Sequence, residues 1–340
     1  MNVIIPMAGL GSRLRPITPT TPKPLIKLAG KTIIYRIIEE LYQYTQVKKI
    51  GFILQQKNAL VENNLKEIIS KEFNKKIKVY FFYQKKAEGT AHAIYCAKKL
   101  LKGRLLVIFS DTLFFLKKPI NFSELDKYDG AIFVKQVKDP SSYGVVKKNN
   151  QGIVTDFIEK PINPVSKLAI IGVYYFKEAE KLGREIEHII SKKLLEKKEY
   201  QLTTALRNLY KTGDDFTTIE VQDWLDCGTP KSLIDTNTYL LKKQKYDDLF
   251  SVNIKDTKNQ IIKPVYIGEN VIIKKSKIGP NVSIENNCVV EGSIIKNTII
   301  QENVVVENGN LENSILGKFS KYNSQSKSLI IGPYSNLNRK

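Results

Sequence analysis

From Ile261 onward the chain repeats at a spacing too short for any unit to stand alone. Ile267-Gly268-Glu269-Asn270-Val271, Ile278-Gly279-Pro280-Asn281-Val282, Ile284-Glu285-Asn286-Asn287-Cys288 and Ile300-Gln301-Glu302-Asn303-Val304 bring an aliphatic residue back every five or six positions, with Asn, Gly and Ser between. One such unit has no apolar face large enough to fold by itself. Stacked coils bury a continuous aliphatic column, so the pattern predicts an elongated array over 261–337. A polar linker, 246–260, precedes it, and a first domain of different texture occupies 1–245.

That first domain is organised around its opening stretch. Val3-Ile4-Ile5-Pro6-Met7 reads as a buried strand. It runs into Ala8-Gly9-Leu10-Gly11-Ser12-Arg13-Leu14-Arg15-Pro16, and Pro22-Lys23-Pro24-Leu25 follows. Glycines let the backbone turn tightly and turn amide groups toward an anion, and Arg13, Arg15 and Lys23 add positive charge. A phosphate-rich substrate is expected. Three familiar phosphate loops do not fit. Leu14 stands where a dinucleotide loop needs its last glycine, and Leu25 where a Walker loop ending in Gly30-Lys31-Thr32 needs its first. A kinase loop fails at the same missing glycine, with no H-R-D or D-F-G downstream.

Further along, helical apolar spacing at Ile33, Ile34, Ile37, Ile38 and Leu41 alternates with strand-like runs at 49–54, 77–83 and 105–109. This alternation predicts an open, largely parallel α/β sheet, whose ligands bind beyond the carboxyl ends of the strands. Short strands at 131–137, 143–147, 153–158 and 168–176 extend the sheet, followed by helices at 178–197 and 202–211, a strand at 216–221, a turn at 224–230 and a helix at 231–245.

With 54 basic and 34 acidic residues the net charge is +20, which by itself suits nucleic acid, an acidic membrane or a polyphosphate. The lysines are scattered in pairs such as Lys48-Lys49 and Lys192-Lys193, and no nucleic-acid motif accompanies them, so neither nucleic acid nor membrane is expected as a partner. The three cysteines, Cys96, Cys227 and Cys288, offer no disulfide framework or metal-ligand spacing. With no charged leader and no long apolar run, the expected location is the cytoplasm.

Together the opening loop and the Pro-Lys-Pro segment resemble the signature of sugar-1-phosphate nucleotidyltransferases, glucose-1-phosphate thymidylyl- and uridylyltransferases among them. The tail resembles the hexapeptide repeats of left-handed parallel β-helices. The resemblance implies a Rossmann-like nucleotide-diphospho-sugar transferase domain with a mixed, mostly parallel sheet, followed by that β-helix. It also implies a reaction between a nucleoside triphosphate, dTTP or UTP, and a sugar-1-phosphate like glucose-1-phosphate, giving a nucleotide sugar and pyrophosphate. In Gln84-Lys85-Lys86-Ala87-Glu88-Gly89-Thr90 it makes Gln84 the reader of the base edge, with Gly89 and Thr90 under the nucleoside and Ala8, Gly9, Gly11 and Ser12 around the phosphates. Gly144, Glu159, Lys160 and Gly172 match the sugar-phosphate elements, and Arg13, Lys23 and Lys160 carry the catalytic charges. Asp111 and Asp226 match two ligands for Mg²⁺; Thr112 replaces the asparagine usual after the first.

The two histidines, His92 and His188, precede the repeats, whereas acyltransferases built on such a β-helix rely on a histidine within it. A bifunctional uridylyl- and acetyltransferase is therefore disfavoured, and both histidines read as helix-surface or partly buried groups. A catalytically silent regulatory or scaffold subunit would lack some of the charged residues that are present here. The β-helix is expected to serve assembly of a homo-oligomer.

Overall fold

The computed structural model describes every residue except 10, 20, 74–75, 164, 244–257, 325–327 and 339–340. Most of the expected linker therefore lies outside the described residues. The chain divides into two compact units, Met1–Gly9 with Ile37–Trp224, and Leu10–Arg36 with Leu225–Lys340.

The first unit is a nine-stranded mixed sheet with helices. Asn2–Pro6 lies between Lys49–Leu54 and Leu105–Ile108, parallel to both, and Lys49–Leu54 continues in parallel to Lys78–Tyr83. Val3, Ile4, Ile5 and all of Leu105–Ile108 are fully buried, which is why these strands read as unbroken aliphatic runs rather than alternating ones. Leu168–Phe176 pairs antiparallel with Leu105–Ile108, Gly130–Gln136 and Val145–Lys148, and Val154–Ile158 adds an antiparallel edge. Phe216–Glu220 runs parallel to Gly130–Gln136.

Helices Thr90–Cys96, Ala179–Ser191 and Leu202–Lys211 contribute Ala91, Ile94, Leu182, Ile186, Leu202 and Leu206 to one core with Ile4, Val107 and Tyr174. The helix expected over 178–197 stops at Ser191, and Lys193, Lys197 and Lys198 take positive φ beyond it. Strands Thr112–Phe115 and Asp223–Asp226 were not legible as strands; the second carries the first part of the expected turn.

The second unit contains the array. Its coils stack in one four-stranded and two five-stranded parallel sheets, the form expected of the left-handed hexapeptide class. Contacts between rungs return after 15 to 17 residues. Val265, Ile267, Ile278, Val282, Ile284, Val290, Ile295, Ile300, Val306 and Leu316 form the internal column. Asparagines at positive φ, among them Asn270, Asn287, Asn297 and Asn303, turn the corners.

The same compact unit holds residues 10–36 and the helix Pro230–Lys243. Buried Asn237 accepts from the Ala29 amide at 2.9 Å and from Ser283 Oγ of a coil at 2.7 Å. Thr238 Oγ1 donates to Asn297 at 2.8 Å, and Gly30 lies against the ring of Tyr266. The segment following the glycine loop is thus built onto the β-helix by direct hydrogen bonds.

Candidate active site

In the first unit the strand Lys78–Tyr83 ends at Gln84, whose amide N–H donates to Leu54 at 2.8 Å and whose side chain is only 6% exposed. Its Nε2 lies 3.0 Å from the Gly89 carbonyl and 3.1 Å from His92 Nδ1. Gly89 has φ +109, and a Cβ there would sit 2.5 Å from the Tyr200 carbonyl, so both backbone conformation and space demand glycine. Thr90 is committed locally: its hydroxyl accepts the Leu202 N–H at 2.9 Å and lies 3.3 Å from Gln201 Oε1, fixing the start of the helix Leu202–Lys211.

A second group forms around Glu159. Thr203 Oγ1 donates to its Oε2 at 3.3 Å, Lys160 Nζ lies 3.8 Å from its Oε1, and a Cβ on Gly144 would meet its Oε2 at 3.2 Å. Lys160 itself takes φ +44, a costly conformation for a lysine. Its amide donates to Tyr143 at 3.1 Å, and the Lys197 ammonium donates to the carbonyls of both Glu159 and Lys160 at 3.0 Å. Tyr143 also packs edge-on against Trp224, ring centroids 4.7 Å apart. Buried Tyr174 has its hydroxyl pushed far up by burial, with the Glu159 charge adding to the effect. Gly172, at φ +83, brings its carbonyl to the Phe109 amide at 2.8 Å. Asp111 follows in the turn after Leu105–Ile108, and the neighbouring Thr112 is buried with Oγ1 donating to Ile171 at 2.6 Å.

In the second unit Gly11, at φ +59, opens a short 3-10 turn, Ser12–Leu14, held by Leu14 N–H and Thr18 Oγ1 on the Gly11 carbonyl, both at 2.9 Å. Lys23 starts the next such turn, Lys23–Leu25. The Arg13 guanidinium and the Asp226 carboxylate converge at Gly228: a Cβ there would lie 2.8 Å from the one and 2.9 Å from the other. Asp226 Oδ1 accepts the Gly228 amide at 2.9 Å, so the missing side chain lets backbone, cation and carboxylate share one small space. Among the described residues no three acidic, histidine or cysteine side chains gather as a metal cluster. The donors at hand are carboxylate oxygens, whose hardness fits Mg²⁺.

Lys27 extends this unit's charge network. Its ammonium lies 2.6 Å from Glu302 Oε1 and 3.9 Å from Glu285 Oε2, while Gly30 N–H donates to Glu285 Oε1 at 3.2 Å. Burial pushes Glu285 up to about 7 against the pull of Lys27. Burial also acts on Glu302, but the ammonium groups of Lys27 and Lys318 outweigh it and hold that carboxyl below its usual range.

His92, Thr203, Lys197 and Lys27 carry no motif of their own. His92 alone left a usable signal, since it stands one helical turn beyond Glu88 and pairs with it (i,i+4).

The fold and these clusters define a nucleotide-handling α/β protein with a β-helical tail. The chain belongs to the nucleotidyl transferase family, whose model matches residues 2–243. It is similar to the bifunctional protein GlmU of Methanocaldococcus jannaschii, 34% identical over 265 residues covering 77% of this chain and 59% of that protein. The chain thus spans about 60% of the length of such curated relatives. It is also similar to the UTP–glucose-1-phosphate uridylyltransferase AglF of Haloferax volcanii, 27% identical over 68% of this chain and 93% of that one. A UDP-glucose pyrophosphorylase solved with UDP-glucose shares the fold, with a TM-score of 0.61 at 24% identity over 72% of this chain and 99% of that one. Among the described residues no helix is long and apolar enough to cross a membrane.

Proposed function

We propose that the chain joins a nucleoside triphosphate, UTP or dTTP, to a sugar-1-phosphate of the glucose-1-phosphate type, releasing pyrophosphate. The observation that carries this reading is the convergence of Arg13 and Asp226 at Gly228 within the signature segment's own unit. A phosphate oxygen of the sugar-1-phosphate forms the new bond to the α-phosphorus as the bond to the pyrophosphate oxygen breaks. No covalent enzyme intermediate is needed, so rate comes from positioning and charge. Arg13 binds the leaving pyrophosphate, with Ala8, Gly9, Gly11 and Ser12 lining the triphosphate. Lys23 holds the α-phosphate region and Lys160 the attacking phosphate. Glu159, positioned by Thr203, accepts from sugar hydroxyls beside Gly144 and Gly172. Asp111 and Asp226 would hold Mg²⁺, which when bound neutralises phosphate charge. The strain at Lys160, held from both sides by Tyr143 and Lys197, supports a functional role for that lysine.

The domain scheme of 1–245, 246–260 and 261–337 is part of this reading, with the coils assembling a homo-oligomer through exposed Ile272, Ile294, Phe319 and Tyr334. Residues 261–340 contain no histidine to act as the base of acyl transfer, so this reading does not include that activity. The test is a matrix of nucleoside triphosphates and sugar-1-phosphates scored by pyrophosphate release, with coenzyme A release from acetyl-CoA as a separate channel. Light scattering on the same sample reads the assembly. No pyrophosphate release with any pair would overturn the reading, and a monomer would overturn the oligomer.

A further inference from the structure

The Gln84 amide is held in one orientation by its surroundings. The Gly89 carbonyl, 3.0 Å away, can only accept, so the atom facing it is the amide nitrogen. The nitrogen's second hydrogen points at His92 Nδ1, 3.1 Å away. That ring atom accepts only when the imidazole proton sits on Nε2, and Glu88 Oε2, 3.2 Å from Nε2, takes that proton's hydrogen bond. A flipped amide would set Oε1 against the lone pairs of both the Gly89 carbonyl and His92 Nδ1. With Gln84 only 6% exposed, water offers little relief. Both amide hydrogens are thereby spent, and Oε1 has no partner among the described residues.

We propose that His92, oriented by Glu88, is a specificity-determining positioning residue. It fixes Gln84 so that only a hydrogen-bond acceptor is offered to the base. The inference rests on the reading of Gln84 as the base contact and narrows it. An amide free to present both N–H and C=O could pair with the edge of several bases. An acceptor alone favours a base with a ring N–H, as in uracil, thymine or guanine. It opposes a ring lone pair, as in cytosine or adenine.

The experiment measures kcat/KM for UTP, dTTP, GTP, CTP and ATP on the full chain, with the sugar-1-phosphate that turns over best. The wild type is expected to favour the ring N–H bases. His92→Leu, which removes the acceptor, should reduce the UTP-over-CTP ratio about tenfold, the worth of one well-placed hydrogen bond. His92→Asn, whose Oδ1 can stand in for Nδ1, should recover most of the ratio, a rescue that a merely structural role would not show. Should His92→Leu fail to fold, Glu88→Ala gives the same readout with a smaller shift, because it releases the imidazole tautomer without touching Gln84. Gln84→Ala separates the two levels. If it collapses the ratio while His92→Leu leaves it unchanged, the positioning role is overturned and the base contact stands. If Gln84→Ala also leaves the ratio unchanged, the base contact itself is overturned and the inference with it. A wild-type preference for CTP or ATP would overturn it outright.

Discussion

The two units meet the same backbone problem with different residues. The first unit uses glycine at the positive-φ positions Gly89 and Gly172, where a Cβ would run into the Tyr200 carbonyl or the Phe109 ring. The coils use asparagine, at Asn270, Asn281, Asn287, Asn297, Asn303, Asn308 and Asn313. Glycine turns the corners at Gly279 and Gly292, where a Cβ would meet Ile262 or Asn308. Elsewhere asparagine side chains stack between rungs, with Asn270 Nδ2 donating to Asn287 Oδ1 at 3.1 Å and Asn297 to Asn313. At Gly89 and Gly172 the first unit empties its turns so that neighbouring chain segments can approach, whereas the asparagine corners are filled so that one coil contacts the next. Lys160, Lys193, Lys197 and Lys198 are exceptions in the first unit, long charged side chains where glycine would be easier.

The largest effect should come from removing the coils. Residues 10–36 lean on Glu285 and Glu302 through Gly30 and Lys27, and on Ser283 through Asn237, which also accepts from Ala29, so this segment and the β-helix do not separate cleanly. A chain ended at Lys243 is expected to lose pyrophosphate release altogether and to melt at lower temperature than the full chain. Undiminished activity would mean that the first 243 residues are self-sufficient and that the coils serve assembly alone.

Within the second unit, Arg13→Ala should lower kcat by about a hundred- to a thousandfold, the cost of losing one preorganised charge donor to a leaving group. The KM for the triphosphate should change much less, because the contact strengthens as charge builds on pyrophosphate. Steady-state kinetics against the triphosphate decides this. A rise confined to KM would make Arg13 a uniform binding contact.

A smaller effect distinguishes the units by pH. Glu285, 1% exposed, is pushed by burial from 4.5 up to about 7, with Lys27, Arg36, Glu302 and the Gly30 amide around it. A carboxyl raised in the folded state gives stability that is complete below its unfolded value and lost as pH rises through its folded value. Glu302, lowered by Lys27 and Lys318, works the other way, losing its contribution only as the solution becomes acidic. Between pH 5 and 8 Glu285 therefore decides. The protein should lose up to about 3 kcal/mol over that window, and Glu285→Gln, which cannot ionise, should lose less. Urea unfolding at both pH values measures it, and parallel slopes for the two proteins would remove Glu285 as the cause.

How much of this was legible follows from the reach of each interaction. Aliphatic runs such as Val3–Ile5 and Leu105–Ile108 announce buried strands because sheet burial is written into consecutive residues. The isoleucine spacing of the coils announces a column for the same reason. Thr112–Phe115 and Asp223–Asp226 escaped because each has only four residues, and the second is broken by charge. The family signature pointed to Gln84, Glu159 and Asp226 as candidates because each sits in a short local motif. It could not supply Lys27 with Glu302, 275 residues away, or Thr203 with Glu159, 44 residues away, since those pairs exist only once the chain has folded. His92, expected as a helix-surface or partly buried group, is partly buried on the helix Thr90–Cys96. The proposed acceptor role of its Nδ1 depends on a Gln84 rotamer that spacing does not specify.

The smallest expected effect tests the asparagine corners directly. Asn287 sits at φ +60, its amide donates to Glu269 at 2.9 Å, and its Oδ1 accepts from Asn270. Asn287→Ala keeps the left-handed backbone but gives up the ladder contact and asparagine's tolerance for that conformation, at about 1–2 kcal/mol. Asn287→Gly relieves the backbone while still losing the ladder, so it should cost about 1 kcal/mol or less. If strain were the whole story, as at a glycine corner of the first unit, the glycine variant would match the wild type in urea unfolding. If the ladder matters as the geometry indicates, the glycine variant falls between wild type and alanine. The ordering of the three curves therefore separates the role of backbone conformation from that of rung-to-rung hydrogen bonding.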